Sequence, residues 1–154
     1  MMSDMICRCG HPSKEKCAVI WNETLAKEFS DFRYGRVHRL TVDTYSLQHP
    51  DVYMISSKSY AAHLTGMCVA MEYDNDSGLL KILQKWLNGK KELEKPELLQ
   101  NVGRLTISHL VAARDGIEHM RLVKEWSAGV WSAYSVHHAL AKEWIEQAKK
   151  EISL

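Results

Sequence analysis

Apolar residues recur at the spacing of an α-helix along most of this chain, and no apolar/polar alternation is long enough to predict a sheet. The first apolar stripe predicts a helix over residues 14–29, for which Ser13 is a suitable N-cap. A second helix is predicted to begin at Phe32 or Gly35. It ends shortly before Pro50, because the residue that precedes a proline avoids the helical region.

Turn-forming residues divide the rest of the chain into further helices. These are predicted over about 57–73, capped by Ser56 or Ser57, over 79–87, capped by Asp76 or Ser77, and over 109–113, capped by Ser108 after an extended segment at 105–107. From Ile117 the chain is predicted to be helical to the end, either with a restart capped by Ser135 or as one long bent helix. A polar stretch, 90–103, is predicted to be a loop. The sequence therefore predicts an all-α protein, an irregular bundle of five to seven helices. At this length we expect one domain, 1–154, with a knuckle at 1–13 and the bundle at 14–154.

The second predicted helix, which reaches Gln48, mixes apolar and polar residues. At about 100° per residue its apolar side chains fall on two opposite arcs, which indicates a helix surrounded by other helices. Asp43 lies between the arcs, so its carboxylate is predicted to be buried and hydrogen-bonded. The predicted partners are His38, His138 and Arg104. The sequence leaves open whether Asp43 stabilises the fold or orients a histidine.

Charge and hydropathy narrow the classes of function. The 20 basic and 19 acidic residues give a net charge of +1, which argues against a general nucleic-acid-binding protein. No apolar run approaches the roughly eighteen residues that a membrane-spanning helix needs. The N-terminus also lacks the basic and apolar regions of a signal peptide. We therefore expect a cytoplasmic protein, in which thiols stay reduced.

Three of the four cysteines, Cys7, Cys9 and Cys17, are close together near the N-terminus. Reduced cysteines at this density are typical of metal ligands, and thiolates suit zinc, which takes four ligands in structural sites. The alternative is that they are incidental thiols. Cys68 lies apart in an apolar segment and is predicted to be a buried apolar residue.

Helix geometry favours His49 as the fourth ligand. The first two helices are predicted to form an antiparallel hairpin, which places Cys17 beside His49. His38 is roughly 16 Å from His49 along the same helix, so these two histidines cannot bind the same ion. His11 is the local competitor. The predicted zinc ligands of this N-terminal metal-binding knuckle are Cys7, Cys9, Cys17 and His49.

Three blocks of sequence carry a family resemblance: Cys9-Gly10 with Cys17, His38 through Pro50, and Trp126 through His138. In these blocks the chain resembles a family of small, mostly bacterial proteins described as a domain of unknown function. That family begins with Cys-x-x-Cys-Gly and contains His-x-Leu-Thr-Val-Asp-x-Tyr-x-Leu-Gln-His-Pro. This chain departs from it with Cys7-x-Cys9. The resemblance covers most of the chain and supports the fold and the choice of residues, but it implies no activity.

Three functions are consistent with these features. The first is a small protein with a structural zinc that acts as a binding or regulatory module. The second is a metal-dependent enzyme in which His38, Asp43 or His138 transfers a proton. The third is a metal-free module that binds a protein partner in a groove between helices. A closed set of four protein ligands favours the first function, and an open metal position favours the second.

Overall fold

The structure of the chain is a computed structural model that describes residues 5–89 and 92–152. The residues outside these ranges are 1–4, 90, 91, 153 and 154. Residues 1–4 belong to the N-terminus that was predicted to lack a signal peptide and to the start of the predicted knuckle. Residues 90 and 91 are the first two of the predicted polar loop. Within the described ranges every regular element is a helix, which confirms the prediction of an all-α protein.

The described residues form eight α-helices and two 3₁₀-helices. The α-helices are α1 (Lys14–Ser30), α2 (Phe32–Gly35), α3 (His38–Gln48), α4 (Pro50–Tyr53), α5 (Ser57–Glu72), α6 (Ser77–Asn88), α7 (Gly116–Ala133) and α8 (His138–Glu151). The 3₁₀-helices cover Ile107–Ala112 and Ser135–His137. This number is higher than the five to seven helices predicted. The excess comes from one-turn elements such as α2 and α4, which are too short to show a periodic pattern.

Side-chain caps begin most of the long helices where the sequence indicated. Ser13, Ser56 and Asp76 each accept a hydrogen bond from a backbone N–H in the first turn, at 3.0, 3.0 and 3.1 Å. Ser135 was predicted to cap the last helix, but α8 begins after a 3₁₀ turn and has no side-chain cap. Pro50 follows the end of α3 and begins α4, where its missing N–H costs nothing.

Between α6 and α7 the structure differs from the sequence prediction in two ways. Residues 107–112 form a 3₁₀-helix, whereas residues 105–107 were predicted to be extended and 109–113 to be α-helical. The N-cap is Thr106, whose hydroxyl accepts from the backbone N–H of Ser108 at 3.3 Å, and not Ser108 itself. A hydroxyl at either position satisfies an early N–H, so the sequence does not distinguish the two registers.

Helices α3 and α5 lie together at the centre of the packing. Helix α3 contacts α5 and α7, while α5 also packs against α4, α6, α7 and α8, and α1 packs against α2 and the first 3₁₀-helix. From residue 43 to residue 48 both the polar and the apolar side chains of α3 are buried, so this part of the helix is surrounded as predicted, whereas Arg39 near its start is exposed. Along the two described ranges, none of the helices combines the length and the hydropathy needed to cross a membrane.

Candidate metal centre

Helices α1 and α3 run antiparallel, and their register is set by side-chain pairs. Glu28 bonds to His38 at one end of the pair, Trp21 stacks on Tyr45 in the middle, and Cys17 meets His49 at the other end. In each pair the two residue numbers have the same sum. This is what two antiparallel helices show when they keep one register along their whole contact. The predicted hairpin geometry therefore brings Cys17 and His49 together.

A tight turn carries the two other cysteines over the start of α1. The backbone N–H of Gly10 donates to the Cys7 carbonyl at 2.9 Å, and the N–H of Cys7 donates to the His11 carbonyl at 2.9 Å. Gly10 has a φ of 97°, in the left-handed region that glycine adopts without strain. This turn directs Cys7 and Cys9 toward the Cys17 end of the hairpin.

The ligand atoms of Cys7, Cys9, Cys17 and His49 all lie within 4.8 Å of one another, close enough to hold a metal ion. His49 Nε2 is 3.2 Å from the sulfur of Cys7 and 3.6 Å from that of Cys17. The sulfurs of Cys9 and Cys17 are 3.8 Å apart. With zinc–sulfur bonds of about 2.3 Å and zinc–nitrogen bonds of about 2.0 Å, a regular tetrahedron places two sulfurs ~3.8 Å apart and a sulfur and a nitrogen ~3.5 Å apart.

His49 is oriented so that one ring nitrogen faces the thiols. Its Nδ1–H donates to the backbone carbonyl of Tyr45 at 2.7 Å, which leaves the lone pair of Nε2 directed at the cysteines. The imidazole also stacks on the Tyr45 ring, with 3.9 Å between centroids, and that ring stacks on Trp21 at 4.0 Å. The ring is therefore held in a metal-binding orientation by a hydrogen bond and by aromatic packing.

The three clustered cysteine thiols differ in pKa. A hydrogen bond from Cys9 is the main cause that lowers the pKa of Cys17 to about 4, and the neighbouring His49 ring and the Tyr45 hydroxyl, 3.4 Å away, lower it further. The same Cys9–Cys17 bond, together with burial, raises the pKa of Cys9, and burial raises that of Cys7. Cys17 is thus the sulfur that most readily ionises, and the thiolate is the form that binds metal.

His11, the competing fourth ligand, is engaged elsewhere. Its Nδ1 accepts a hydrogen bond from the backbone N–H of Ser13 at 2.9 Å, and it is not one of the four residues whose ligand atoms cluster. His49 is the histidine that the hairpin brings to the thiols. Cys68 is fully buried at a distant point of α5, as predicted, and burial raises its pKa to about 11.

The polar residues proposed for proton transfer belong to separate networks. His38 Nδ1 donates to Glu28 at 2.8 Å, and His138 Nε2 donates to the backbone carbonyl of Trp131 at 2.7 Å. Glu28 is itself buried and also accepts from Thr41 and from His119, both at 2.7 Å. These bonds join α1, α3 and α7 through one carboxylate.

Asp43 is 5% exposed and hydrogen-bonded, which confirms that prediction, but its partner was predicted wrongly. Oδ1 accepts from Nδ1 of His63 on α5 at 2.9 Å, and neither His38, His138 nor Arg104 takes part. Oδ2 has no hydrogen-bonding partner and lies against Gly66, with Arg39 Nε 3.9 Å away. The close approach is possible because Gly66 has no Cβ.

Two residues that were not predicted as site residues, Arg8 and Tyr45, also shape this region. Arg8, between Cys7 and Cys9, donates to the backbone carbonyls of Leu99 and Gln100. Tyr45 contacts both Cys17 and His49. Tyr45 lies four residues before His49 on the same stripe of α3, so helical spacing contains a signal for it. No spacing rule could have predicted the contact between Arg8 and a segment about ninety residues away.

The fold and this cluster define an all-helical protein with three cysteines and one histidine buried together near the N-terminus. The chain belongs to the family of unknown function DUF5946, which it matches over residues 4–135. The resemblance to a domain-of-unknown-function family is thereby confirmed. Comparison with curated proteins and with solved structures gives no match.

Proposed function

We propose that this chain is a zinc-binding helical protein in which Cys7, Cys9, Cys17 and His49 hold one structural zinc ion. The protein would act in the cytoplasm as a small binding or regulatory module whose N-terminal knuckle depends on the metal. The observation that carries this proposal is the spacing of the four ligand atoms. The sulfur–sulfur distance of 3.8 Å and the sulfur–nitrogen distances of 3.2 and 3.6 Å are close to the edges of a zinc tetrahedron.

The donor set supports zinc over harder cations. Three thiolates and one imidazole are soft and borderline ligands, whereas calcium and magnesium take oxygen ligands. The tautomer of His49 that the Tyr45 carbonyl stabilises is also the one that presents Nε2 to a metal.

A structural role follows from the number and burial of the ligands. Four protein ligands complete a tetrahedron and leave no position for the water that a catalytic zinc activates. The exposed fraction of these residues is 6% or less. An ion at this site would join the turn at Cys7 and Cys9 to both helices of the α1–α3 hairpin. Its binding free energy would therefore contribute directly to folding.

Elemental mass spectrometry of the purified protein, reconstituted with zinc and freed of excess metal, tests the proposal. We expect one zinc ion per chain in the parent and a large loss of bound zinc in Cys17→Ser and His49→Ala. Cys68→Ser is the matched control, because Cys68 is equally buried but lies outside the cluster, and it should bind as much zinc as the parent. A strong chelator should lower the melting temperature of the parent.

Two results would contradict the proposal. One is a parent protein that takes up no zinc although its circular dichroism shows a folded helical chain. The other is His49→Ala retaining full zinc while His11→Ala loses it, which would show that the ligand set differs from the one proposed. Visible absorption after cobalt substitution would then show whether the coordination is tetrahedral with three sulfurs.

A further inference from the structure

The sulfurs of Cys9 and Cys17 are 3.8 Å apart, and both cysteines are free thiols in the structure. Formation of a disulfide requires an S–S distance of about 2.05 Å, so each sulfur needs to move only about 1 Å. The two residues belong to different kinds of element. Cys17 lies in the first turn of α1, whereas Cys9 lies in the turn that contains Gly10. The turn can move toward the helix without unwinding it.

We propose that Cys9 and Cys17 form a reversible disulfide on reaction with a hydroperoxide, and that this oxidation releases the metal. This inference rests on the proposed function, since it concerns the regulation of the same site. The oxidant is a small hydroperoxide such as hydrogen peroxide, which can reach sulfurs that larger reagents cannot.

The reaction is balanced in two steps. In the first, the thiolate of one of the two cysteines attacks one peroxide oxygen, the O–O bond breaks, and the products are the sulfenic acid of that cysteine and hydroxide, which takes up a proton to form water. In the second, the thiolate of the other cysteine attacks the sulfur of the sulfenic acid, the S–O bond breaks, and a second hydroxide leaves and is protonated to water. Two thiolates lose two electrons in total, and one peroxide gains them.

The contacts of the sulfurs favour Cys9 and Cys17 as the bonded pair. These two sulfurs are in contact at 3.8 Å, whereas the sulfur of Cys7 lies 3.2 Å from Nε2 of His49. The sulfur of Cys17 also contacts the Tyr45 hydroxyl at 3.4 Å, and that of Cys9 is approached by the backbone N–H of His11 at 3.5 Å.

Release of the metal follows from the loss of ligands. A disulfide removes two of four donors at once, and the remaining thiolate and imidazole make a poor zinc site. Restoring both thiols with a reductant restores the donor set. The site would thus alternate between a reduced, metal-bound form and an oxidised, metal-free form.

The experiment uses the full chain loaded with zinc, and its metal content is measured first. Hydrogen peroxide is then added in molar excess, zinc release is followed with a colorimetric chelator, and free thiols are counted in denaturant. We expect two thiols to be lost for each zinc ion released, and dithiothreitol with added zinc to reverse both changes. Cys68→Ser should behave as the parent does, apart from one thiol fewer at the start.

Tryptic mapping identifies the bonded pair without ambiguity. Trypsin cleaves after Arg8, Lys14 and Lys16, so the three clustered cysteines fall on three different peptides. The expected cross-link joins peptides 9–14 and 17–27.

Three outcomes would overturn the inference. They are retention of zinc with all thiols intact, a cross-link that includes Cys7, and zinc release with sulfinic or sulfonic acids that dithiothreitol does not reduce. A chain that contains no zinc before peroxide is added contradicts the proposed function and with it this inference. The initial metal measurement distinguishes that case from the other three.

Discussion

Replacing Gly66 by alanine tests the packing of α3 on α5, because two well-founded expectations disagree in sign. In the interior of a helix, alanine is more favourable than glycine by about 0.8–1.0 kcal/mol. In this fold, however, a Cβ on residue 66 would lie 2.5 Å from Oδ2 of Asp43, where ordinary contacts are 3.4–4 Å. The carboxylate cannot easily move away, because Oδ1 is bound to His63 at 2.9 Å and the residue is buried.

The size of the change in stability follows from the cost of the clash with Asp43 and from the gain in helix propensity. Inserting a methyl group into a packed site costs about 1–3 kcal/mol, and weakening a hydrogen bond to a charged group costs a further ~1.5–3 kcal/mol. After the gain in helix propensity we expect Gly66→Ala to destabilise the protein by about 1.5–5 kcal/mol. For a chain of this length that corresponds to a decrease in melting temperature of roughly 3–20 °C.

The assay is urea unfolding of the parent, Gly66→Ala, Asp43→Ala and the double variant, followed by circular dichroism. If the clash with Asp43 is the cause, Gly66→Ala should be neutral or stabilising by up to about 1 kcal/mol in the Asp43→Ala background. Arg39 should not oppose the substitution, since its Nη2 lies at an ordinary contact distance of 3.5 Å from the added Cβ. Stabilisation of the parent by Gly66→Ala would refute the described packing of α3 on α5.

Two further predictions concern the buried carboxylates of Glu28 and Asp43 themselves. Glu28→Ala removes the acceptor of His38, Thr41 and His119 and should lower the free energy of unfolding by about 3–5 kcal/mol in urea titrations without changing bound zinc. Glu23→Ala, on the exposed side of the same helix, is the control and should change it by less than about 0.5 kcal/mol. Asp43→Asn should become more favourable relative to the parent as the pH rises above 3.8, the ordinary pKa of aspartate. Burial raises the pKa of Asp43 in the folded chain, so its contribution to stability is full below that value and is lost as the pH rises through the folded pKa. A pH-independent difference between Asp43→Asn and the parent would contradict this assignment.

Local signals in the sequence predicted the long helices and most of their boundaries. The caps at Ser13, Ser56 and Asp76 and the end of α3 before Pro50 all follow from rules that involve only a few neighbouring residues. The approach of Cys17 to His49 was also predictable, because two consecutive helices joined by a short turn pack antiparallel. The identity of the ion and the ligand role of the four residues stay predictions.

Pairings between helices that are distant in sequence could not be predicted in the same way. The partner of Asp43 depends on which face of α5 lies against α3, and the bond between Glu28 and His119 depends on where α7 crosses α1. Periodicity shows which face of a helix is buried but does not say which other helix covers it. The short elements α2 and α4 were missed for a different reason, since four residues contain only one turn.

The sequence separation of these contacts has a consequence for synthesis on the ribosome. The four clustered residues all lie between positions 7 and 49, so all four are synthesised well before α7. The buried polar groups of the same region acquire their hydrogen-bond partners much later in synthesis. Glu28 accepts from His119, the Gln48 amide oxygen accepts from Trp126, and the Leu47 carbonyl accepts from Tyr134. A nascent chain can therefore bring these four residues together long before the buried polar groups have their partners. In that interval, a bound ion would hold the α1–α3 hairpin together while α7 is still being synthesised.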